Sequence, residues 1–351
     1  MFDIGDGSQD ALLVRIRAGG HEGWGECEAS PLTSIASYIC PMSHSACKPL
    51  QYSVEGKNID AVEDIKRISE SVHEHSPDLL QSDHTLSGID IALWDLLGKK
   101  LNEPVYHLLG HKKNFPKLPY ASQLFGNTAE ETFAKARNTN AAGFHAVKFG
   151  WGPFGKSVVE PDIAHLAAAR EGIGKDAYLM IDAGTVFRED VDEAKKRLQA
   201  LEHINAYWFE EPFISGALDA YKKLSLSDPK IPLAGGEGCN NFVQAQAMIE
   251  HAGLNFIQID AGRIGGISIA KRVADLAVAK NIIYVNHTFT SHLALSASLQ
   301  PYAGMEQHLI SEYPVELKSL AQEIGKEKII PEQRSYLCAG SRRTRNYSKY
   351  G

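Results

Sequence analysis

The chain has 351 residues, long enough for one large domain and a smaller one. Its 44% hydrophobic and 23% charged content fits a globular enzyme and excludes a disordered chain. A net charge of −7 argues against nucleic acid as a partner, and no run approaches the roughly 18 apolar residues of a membrane span. Five cysteines are few and odd in number, so a reducing compartment is expected. The start, MFDIGDGSQD, shows no signal peptide, and a cytoplasmic protein is expected.

Residues 11–28 read as a hairpin. Val14 and Ile16 alternate with Arg15 and Arg17, Gly19-Gly20 turn the chain, and Trp24 and Glu26 resume the strand. Residues 29–51, with Pro31, Pro41 and Pro49, read as a polar loop of about 20 residues, a length that implies function. Helices are predicted over 59–78 and 86–101; in the second, Ile89, Leu93, Leu96 and Leu97 share one face. Gly110 closes this block, and the region near Lys117 reads as a linker. From residue 118 the pattern becomes strand, loop, helix, repeated. Strands are predicted over 118–122, 144–149, 177–182, 206–210, 231–234, 255–259, 282–286 and 307–310, with helices between them. This alternation implies a parallel α/β sheet with right-handed crossovers, and eight strands imply closure into a (β/α) barrel. The tail SRRTRNYSKYG is basic, low in apolar content and expected to fray.

Polar residues recur along this half: Lys148, Asp182, Glu210, Glu237, Asp260, His287 and Glu312. From Asp182 the steps are 28, 27, 23, 27 and 25 residues, each about one strand, loop and helix. Most of these residues close an apolar run, which is where a barrel places its active site. A lone acid after a strand is usually a helix cap or a solvated charge. Three at nearly equal period, Asp182, Glu210 and Glu237, form an all-oxygen set suited to a hard cation such as Mg²⁺. Within Glu210-Glu211, barrel geometry favours Glu210 as the ligand. Asp260 and His287 end successive strands, and a carboxylate on one imidazole nitrogen makes the other a general base. His292 is the rival histidine, placed inside the following helix. Lys148 would face a substrate carboxylate or act as a base, and Glu312 would hydrogen-bond a developing oxyanion.

Two other patterns compete. Residues 150–157, GWGPFGKS, fit the phosphate-cradling G-x-x-x-x-G-K-[ST] loop and offer a P-loop NTPase as the alternative of another class. Pro161 disturbs the helix that should start at the lysine, and Trp151 and Phe154 are bulky where amides must wrap phosphate. Cys40, His44 and Cys47 lack a second ligand pair, so no zinc site is expected.

Seven segments then carry a resemblance: SGIDIALWDLLGKKLNEPVYHLLG, GFHAVKFG, MIDAG, WFEEP, GGEG, IQIDAGRIGG and NHTFTSHLALSAS. In order and spacing the chain resembles the enolase superfamily, in its mandelate racemase and muconate lactonizing enzyme branch. The resemblance implies a (β/α)7β TIM-like barrel over 114–322. It also implies an α+β capping domain over 1–113 and a segment over 323–351 that returns to the cap. It implies Mg²⁺, or Mn²⁺ in its place, on Asp182, Glu210 and Glu237, a His287–Asp260 dyad, and Glu312 as hydrogen-bond donor to the intermediate. The loop over 29–51 would close over substrate. The shared chemistry is abstraction of the proton α to a carboxylate, giving an ene-diolate. The partners implied are a small carboxylate, here a sugar acid, and further copies of the chain in a homo-oligomer. Lys148-Phe149-Gly150 departs from the Lys-x-Lys pattern of the racemases, which turns the expectation toward a sugar-acid dehydratase, with a racemase or epimerase as the alternative. Asp182-Ala-Gly lacks the asparagine often found two residues after the first ligand, and the C-terminal run departs from the family's.

Overall fold

The computed structural model describes residues 10–28, 31–316, 319–325, 328–331 and 335–338. The chain opens with the hairpin β1 (Ala11–Ala18) and β2 (His21–Glu28), paired antiparallel. Helices α1 (Pro31–Ile39), α2 (Gln51–Val54), α3 (Val62–His75), α4 (Ser82–Leu101) and α5 (Val105–Leu108) follow. The alternation then runs β3 (Leu118–Leu124), α6 (Ala129–Ala141), β4 (Ala146–Gly150), α7 (Val159–Ile173), β5 (Tyr178–Asp182) and α8 (Val191–His203). It continues with β6 (Trp208–Glu210), α9 (Leu218–Leu226), β7 (Leu233–Gly235), α10 (Phe242–His251), β8 (Phe256–Asp260) and α11 (Gly266–Ala279). It closes with β9 (Ile283–His287), α12 (His292–Leu299), β10 (Ile310–Pro314) and α13 (Ser319–Glu323).

The eight strands form one parallel sheet in the order β10-β3-β4-β5-β6-β7-β8-β9, so the first barrel strand lies between the second and the last. Tyr120, Ala146, Met180, Trp208, Ala234, Phe256, Val285 and Ile310 pack together as the inner layer, one from each strand. The seam between β9 and β10 is closed by a side chain. Asn286 Oδ1 accepts from Glu312 N at 2.9 Å and from the Tyr302 hydroxyl at 2.7 Å, while its Nδ2 donates to Ser298 Oγ at 2.9 Å. At the base, the region near Lys117 is no free linker. Its buried Nζ donates to the carbonyls of Tyr302, Met305 and His308 at 3.0, 3.1 and 2.9 Å.

The hairpin and α4 build the cap. On one face of β2, Gly23 and Gly25 let α4 approach closely; a Cβ on either would lie 2.0 Å from the Ala92 or Gly88 carbonyl oxygen. The other face carries Trp24, Glu26 and Glu28, all buried. α4 departs from its expected single apolar face: every residue from Thr85 to Gly98 is buried. The reason is that it lies between the hairpin and α11, and its polar residues are satisfied across those contacts. Ser87 Oγ accepts from Gly265 N at 2.8 Å, and Asp95 accepts from Trp24 N at 2.9 Å.

Two further expectations are corrected. Residues 29–51 contain a helix, α1, which buries Ser34 and Ser37 and exposes Leu32, Ile35 and Ile39. The last strand lies at 310–314, about one turn of sequence beyond 307–310, because His308 and Leu309 serve the barrel base: His308 Nδ1 accepts from Tyr284 N at 2.8 Å and the Leu309 carbonyl from Leu118 N. Of the C-terminal segment, Tyr336 bridges Lys117 and its hydroxyl lies 2.7 Å from Ser311 Oγ. The basic tail lies outside the described residues. Among the described residues no helix is long and apolar enough to cross a membrane.

Candidate active site

Strand register sets the site. Gly150, Asp182 and Glu210 are Cα partners across β4, β5 and β6, and Asp260 partners His287 across β8 and β9. Lys148 is the third residue of β4 rather than its last, Glu237 lies two residues beyond β7, and Glu312 is central in β10. Side chains two apart on a strand point the same way. All seven predicted residues are buried and meet at one end of the barrel.

Asp182, Glu210 and Glu237 each offer an oxygen within 4.8 Å of the others. Burial first and like charges second raise the pKa of Asp182 and Glu210 above the usual carboxylate range. The Trp208 indole N–H, two residues back on β6, donates to Glu210 Oε2 at 2.7 Å and fixes its rotamer. The Lys148 ammonium is the neighbouring cation, 2.5 Å from Glu210 Oε1, 3.0 Å from Glu312 Oε1 and 3.8 Å from Asp182 Oδ2. Burial opposes its charge, but Glu210 and Glu312 outweigh that and raise its pKa above the usual lysine range. Lys148, His287 and Arg263 stand against Asp182, Glu210, Glu237, Glu312, Asp260 and Glu28, so carboxylates outnumber cations and the cluster is short of positive charge. An all-oxygen donor set with that deficit fits a hard divalent cation.

His287 Nδ1 lies 2.7 Å from Asp260 Oδ2, which leaves Nε2 to face the cavity, 3.1 Å from Glu237 Oε2 and 3.8 Å from Glu312 Oε2. Burial disfavours the imidazolium, yet Glu237, Glu312 and Asp260 together raise its pKa to about 10. Burial works against the Asp260 charge as well, and the His287 hydrogen bond and charge hold that carboxyl down to about 2. The same Glu312 Oε2 accepts from Thr288 N at 2.7 Å, while Oε1 faces Lys148. Glu211 turns away through a left-handed backbone, φ 36°, and its Oε1 accepts from Gly236 N at 3.2 Å. It braces the turn that carries Glu237.

Sequence reading missed Glu28 and Arg263. Glu28 ends β2 and pairs two-pronged with Arg263, whose Nη2 is 2.5 Å from Glu28 Oε1. Arg263 Nη1 also donates to the Glu237 carbonyl at 3.3 Å. Glu28 stands beside Asp260 and His287, and burial and the Asp260 charge push its carboxyl up to about 7. The alternation Trp24, Glu26, Glu28 on one strand face was the available signal. Glu26 uses it too, accepting from Ser291 Oγ, the cap of α12.

Lys148, Asp182, Glu237, His287 and Glu312 line a cavity of about 320 Å³. Leu124, Trp151 and Phe289 complete its wall, with Ser122, Gln123 and Arg263. The other patterns resolve differently. In 150–157 the Gly155 amide donates to Asp162 Oδ1 at 3.0 Å, Phe154 is buried against Phe125, and Lys156 is exposed. A carboxylate and an aromatic ring therefore fill the place where a phosphate loop would hold its anion. His44 faces Asp78 at 3.3 Å, and His292 lies in α12 with its Nδ1 accepting from Ile329 N at 3.3 Å.

An eight-stranded α/β barrel under an α+β cap, with acids converging at its mouth, defines a superfamily enzyme architecture, and comparison with known proteins places it. Residues 5–110 match the mandelate racemase/muconate lactonizing enzyme N-terminal domain, and residues 131–338 match the enolase C-terminal domain-like family. The chain belongs to the mandelate racemase/muconate lactonizing enzyme branch of the enolase superfamily. It is similar to a crystal structure described as a predicted mandelate racemase from Rhodobacter sphaeroides, with 52% identity and a TM-score of 0.91, covering 97% of this chain and 87% of that one. It is 32% identical over 237 residues to D-galactarolactone cycloisomerase of Agrobacterium fabrum (strain C58), which is 66% of this chain and 60% of that enzyme. It is 27% identical over 248 residues to arabinonate dehydratase of Saccharolobus solfataricus, 70% of this chain and 64% of that enzyme. The matches thus span less than two thirds of these curated relatives.

Proposed function

We propose that the protein abstracts the proton α to the carboxylate of a sugar acid and eliminates the β-hydroxyl, giving a 2-keto-3-deoxy acid. The observation that carries this reading is Gly150. It lies two residues beyond Lys148 on the same strand face, where a two-base racemase would carry its second lysine. A Cβ there would stand 2.7 Å from Asp182 Oδ2 and 2.9 Å from Asp182 Cβ. A side chain at 150 has to displace the Asp182 carboxylate, so the chain is built for one base at the reacting carbon. The names of the similar curated enzymes, a dehydratase of the sugar acid arabinonate and a cycloisomerase of a sugar-acid lactone, support a substrate of this chemical kind.

In this reading Asp182, Glu210 and Glu237 hold Mg²⁺, or Mn²⁺ in its place. When bound, that cation supplies the positive charge that makes the α-proton acidic enough to remove. Asp260 fixes the His287 tautomer; Glu237, the first of the charges that hold the imidazolium, would be neutralised by the cation, which frees His287 Nε2 to take the α-proton. The electron pair of the broken C–H bond moves into the carboxylate as an ene-diolate. Lys148, held protonated by Glu210 and Glu312, attracts the substrate carboxylate and orients it. Glu312 donates a hydrogen bond to the same oxygens when protonated. As the ene-diolate collapses, the β C–O bond breaks, and the leaving hydroxyl takes the proton from the His287 imidazolium and departs as water. The enol left behind tautomerises to the keto acid. Arg263, held by Glu28 of the cap, lines the cavity beside these groups.

A library of aldonic and aldaric acids with Mg²⁺ tests the reading by detection of 2-keto-3-deoxy products. Turnover of at least one member is expected. Exchange of the α-proton in D₂O without elimination would replace dehydration by epimerisation, with Lys148 as the second base.

A further inference from the structure

Trp151 sits in the GWGPFGKS segment with no part in the chemistry above. Its backbone is in the left-handed region, φ 56°, where a bulky side chain is rare and strained. The glycines on either side pin the turn. Gly150 lies against Asp182, and a Cβ on Gly152 would come within 3.3 Å of the Phe125 side chain. The indole rests on Gly184, whose missing side chain makes the room: a Cβ there would meet the ring at 2.9 Å. Gly184 in turn donates its N–H to Asp182 Oδ1 at 2.7 Å, so ring and carboxylate share one support. Despite that support the indole stays 52% exposed and lines the cavity, whereas Trp24, Trp94 and Trp208 are 8%, 3% and 0% exposed. Strain is retained to hold an aromatic face open beside the reacting groups.

We propose that Trp151 is a specificity-determining residue. Its open indole face packs against the C–H side of the substrate's carbon chain and selects a polyhydroxylated acid whose hydroxyls point toward Ser122 and Arg263. The physical basis is the negative face of the ring meeting weakly positive C–H bonds. A hydroxyl turned against the indole would lose water without gaining a partner. The inference rests on the sugar-acid reading and adds the group that reads the chain beyond its carboxylate.

The other three tryptophans are buried, so acrylamide quenching of indole fluorescence reports Trp151. The probes are sodium D-galactonate, D-galactarate and arabinonate, each with Mg²⁺, with calorimetry recording binding independently. A bound acid is expected to lower the quenching constant at least about twofold. Trp151→Ala is expected to raise KM about tenfold while kcat stays within about twofold, and Trp151→Phe to recover most of the affinity. Binding by calorimetry with unchanged quenching, or an unchanged KM in Trp151→Ala, overturns the platform and leaves the sugar-acid reading standing. Absence of binding by these three acids and by every other member of the aldonic and aldaric library removes both. Should Trp151→Ala fail to fold, the wild-type quenching and Trp151→Phe still decide.

Discussion

In the proposed reaction Gly150 belongs with the metal ligands and His287 with the base, and single substitutions separate the two. Adding a methyl at Gly150 presses on the Oδ2, Cβ and Cγ of Asp182. Gly150→Ala is therefore expected to weaken Mg²⁺ binding by about tenfold or more in calorimetry, since a ligand moved by a few tenths of an ångström loses its geometry. His287→Asn removes the proposed base and spares the three carboxylates. It should lower kcat by roughly 10² to 10⁴ and leave Mg²⁺ affinity within about twofold. A variant retaining turnover would remove His287 from its role. The polar residues were legible in the sequence because most follow an apolar run and, from Asp182 onward, recur at a steady interval that is the barrel itself. Arg263 lies three residues past Asp260 and belongs to no period, so nothing local marked it.

Among the elements, α4 carries a buried carboxylate with a measurable consequence. Asp90 faces α11, where it accepts from Ser268 N at 3.0 Å and Ser268 Oγ at 2.5 Å, and Trp94 Nε1 donates to the same Ser268 Oγ. Burial outweighs these donors and raises the carboxyl from 3.8 to about 7. The folded pKa is above the unfolded one, so the unfolded chain releases its proton first as pH rises. Stability contributed at this site is therefore present below about pH 4 and lost on the way up to about pH 7. Relative to Asp90→Asn, the wild type should lose on the order of 1 to 3 kcal/mol between pH 4 and 7.5 in urea titrations. A pH-independent difference would place the ionised form in the folded state. Seven of the barrel strands were legible from short apolar runs bounded by turn residues. The last was misplaced because Ser311, Glu312 and Tyr313 are not an apolar run. α1 was missed for a related reason: its serines face inward and its leucine and isoleucines outward, the reverse of the pattern by which a helix is recognised.

At the scale of the molecule, the cap is tied to the barrel by Glu26 with Ser291 and Glu28 with Arg263, and the barrel is tied to itself at Asn286. Asn286→Leu strands the Glu312 amide without this acceptor and leaves the Tyr302 hydroxyl only the longer bond to the Ile310 carbonyl at 3.4 Å. It should cost about 1 to 3 kcal/mol in chemical denaturation, the range for one buried group left unpaired, and reduce activity by loosening Glu312. Undiminished stability would show that the seam closes by other means. The same seam has a consequence for the order in which the protein comes into being. During synthesis β3 emerges long before β10, yet Leu118 pairs with Ile310, and a growing chain that stops short of that strand leaves the edges of β3 and β9 open. The strand that shuts the barrel is also the one that delivers Glu312. A nascent chain can therefore assemble the three carboxylates and the histidine and still hold an incomplete site, so that chemical competence and topological closure arrive in a single step.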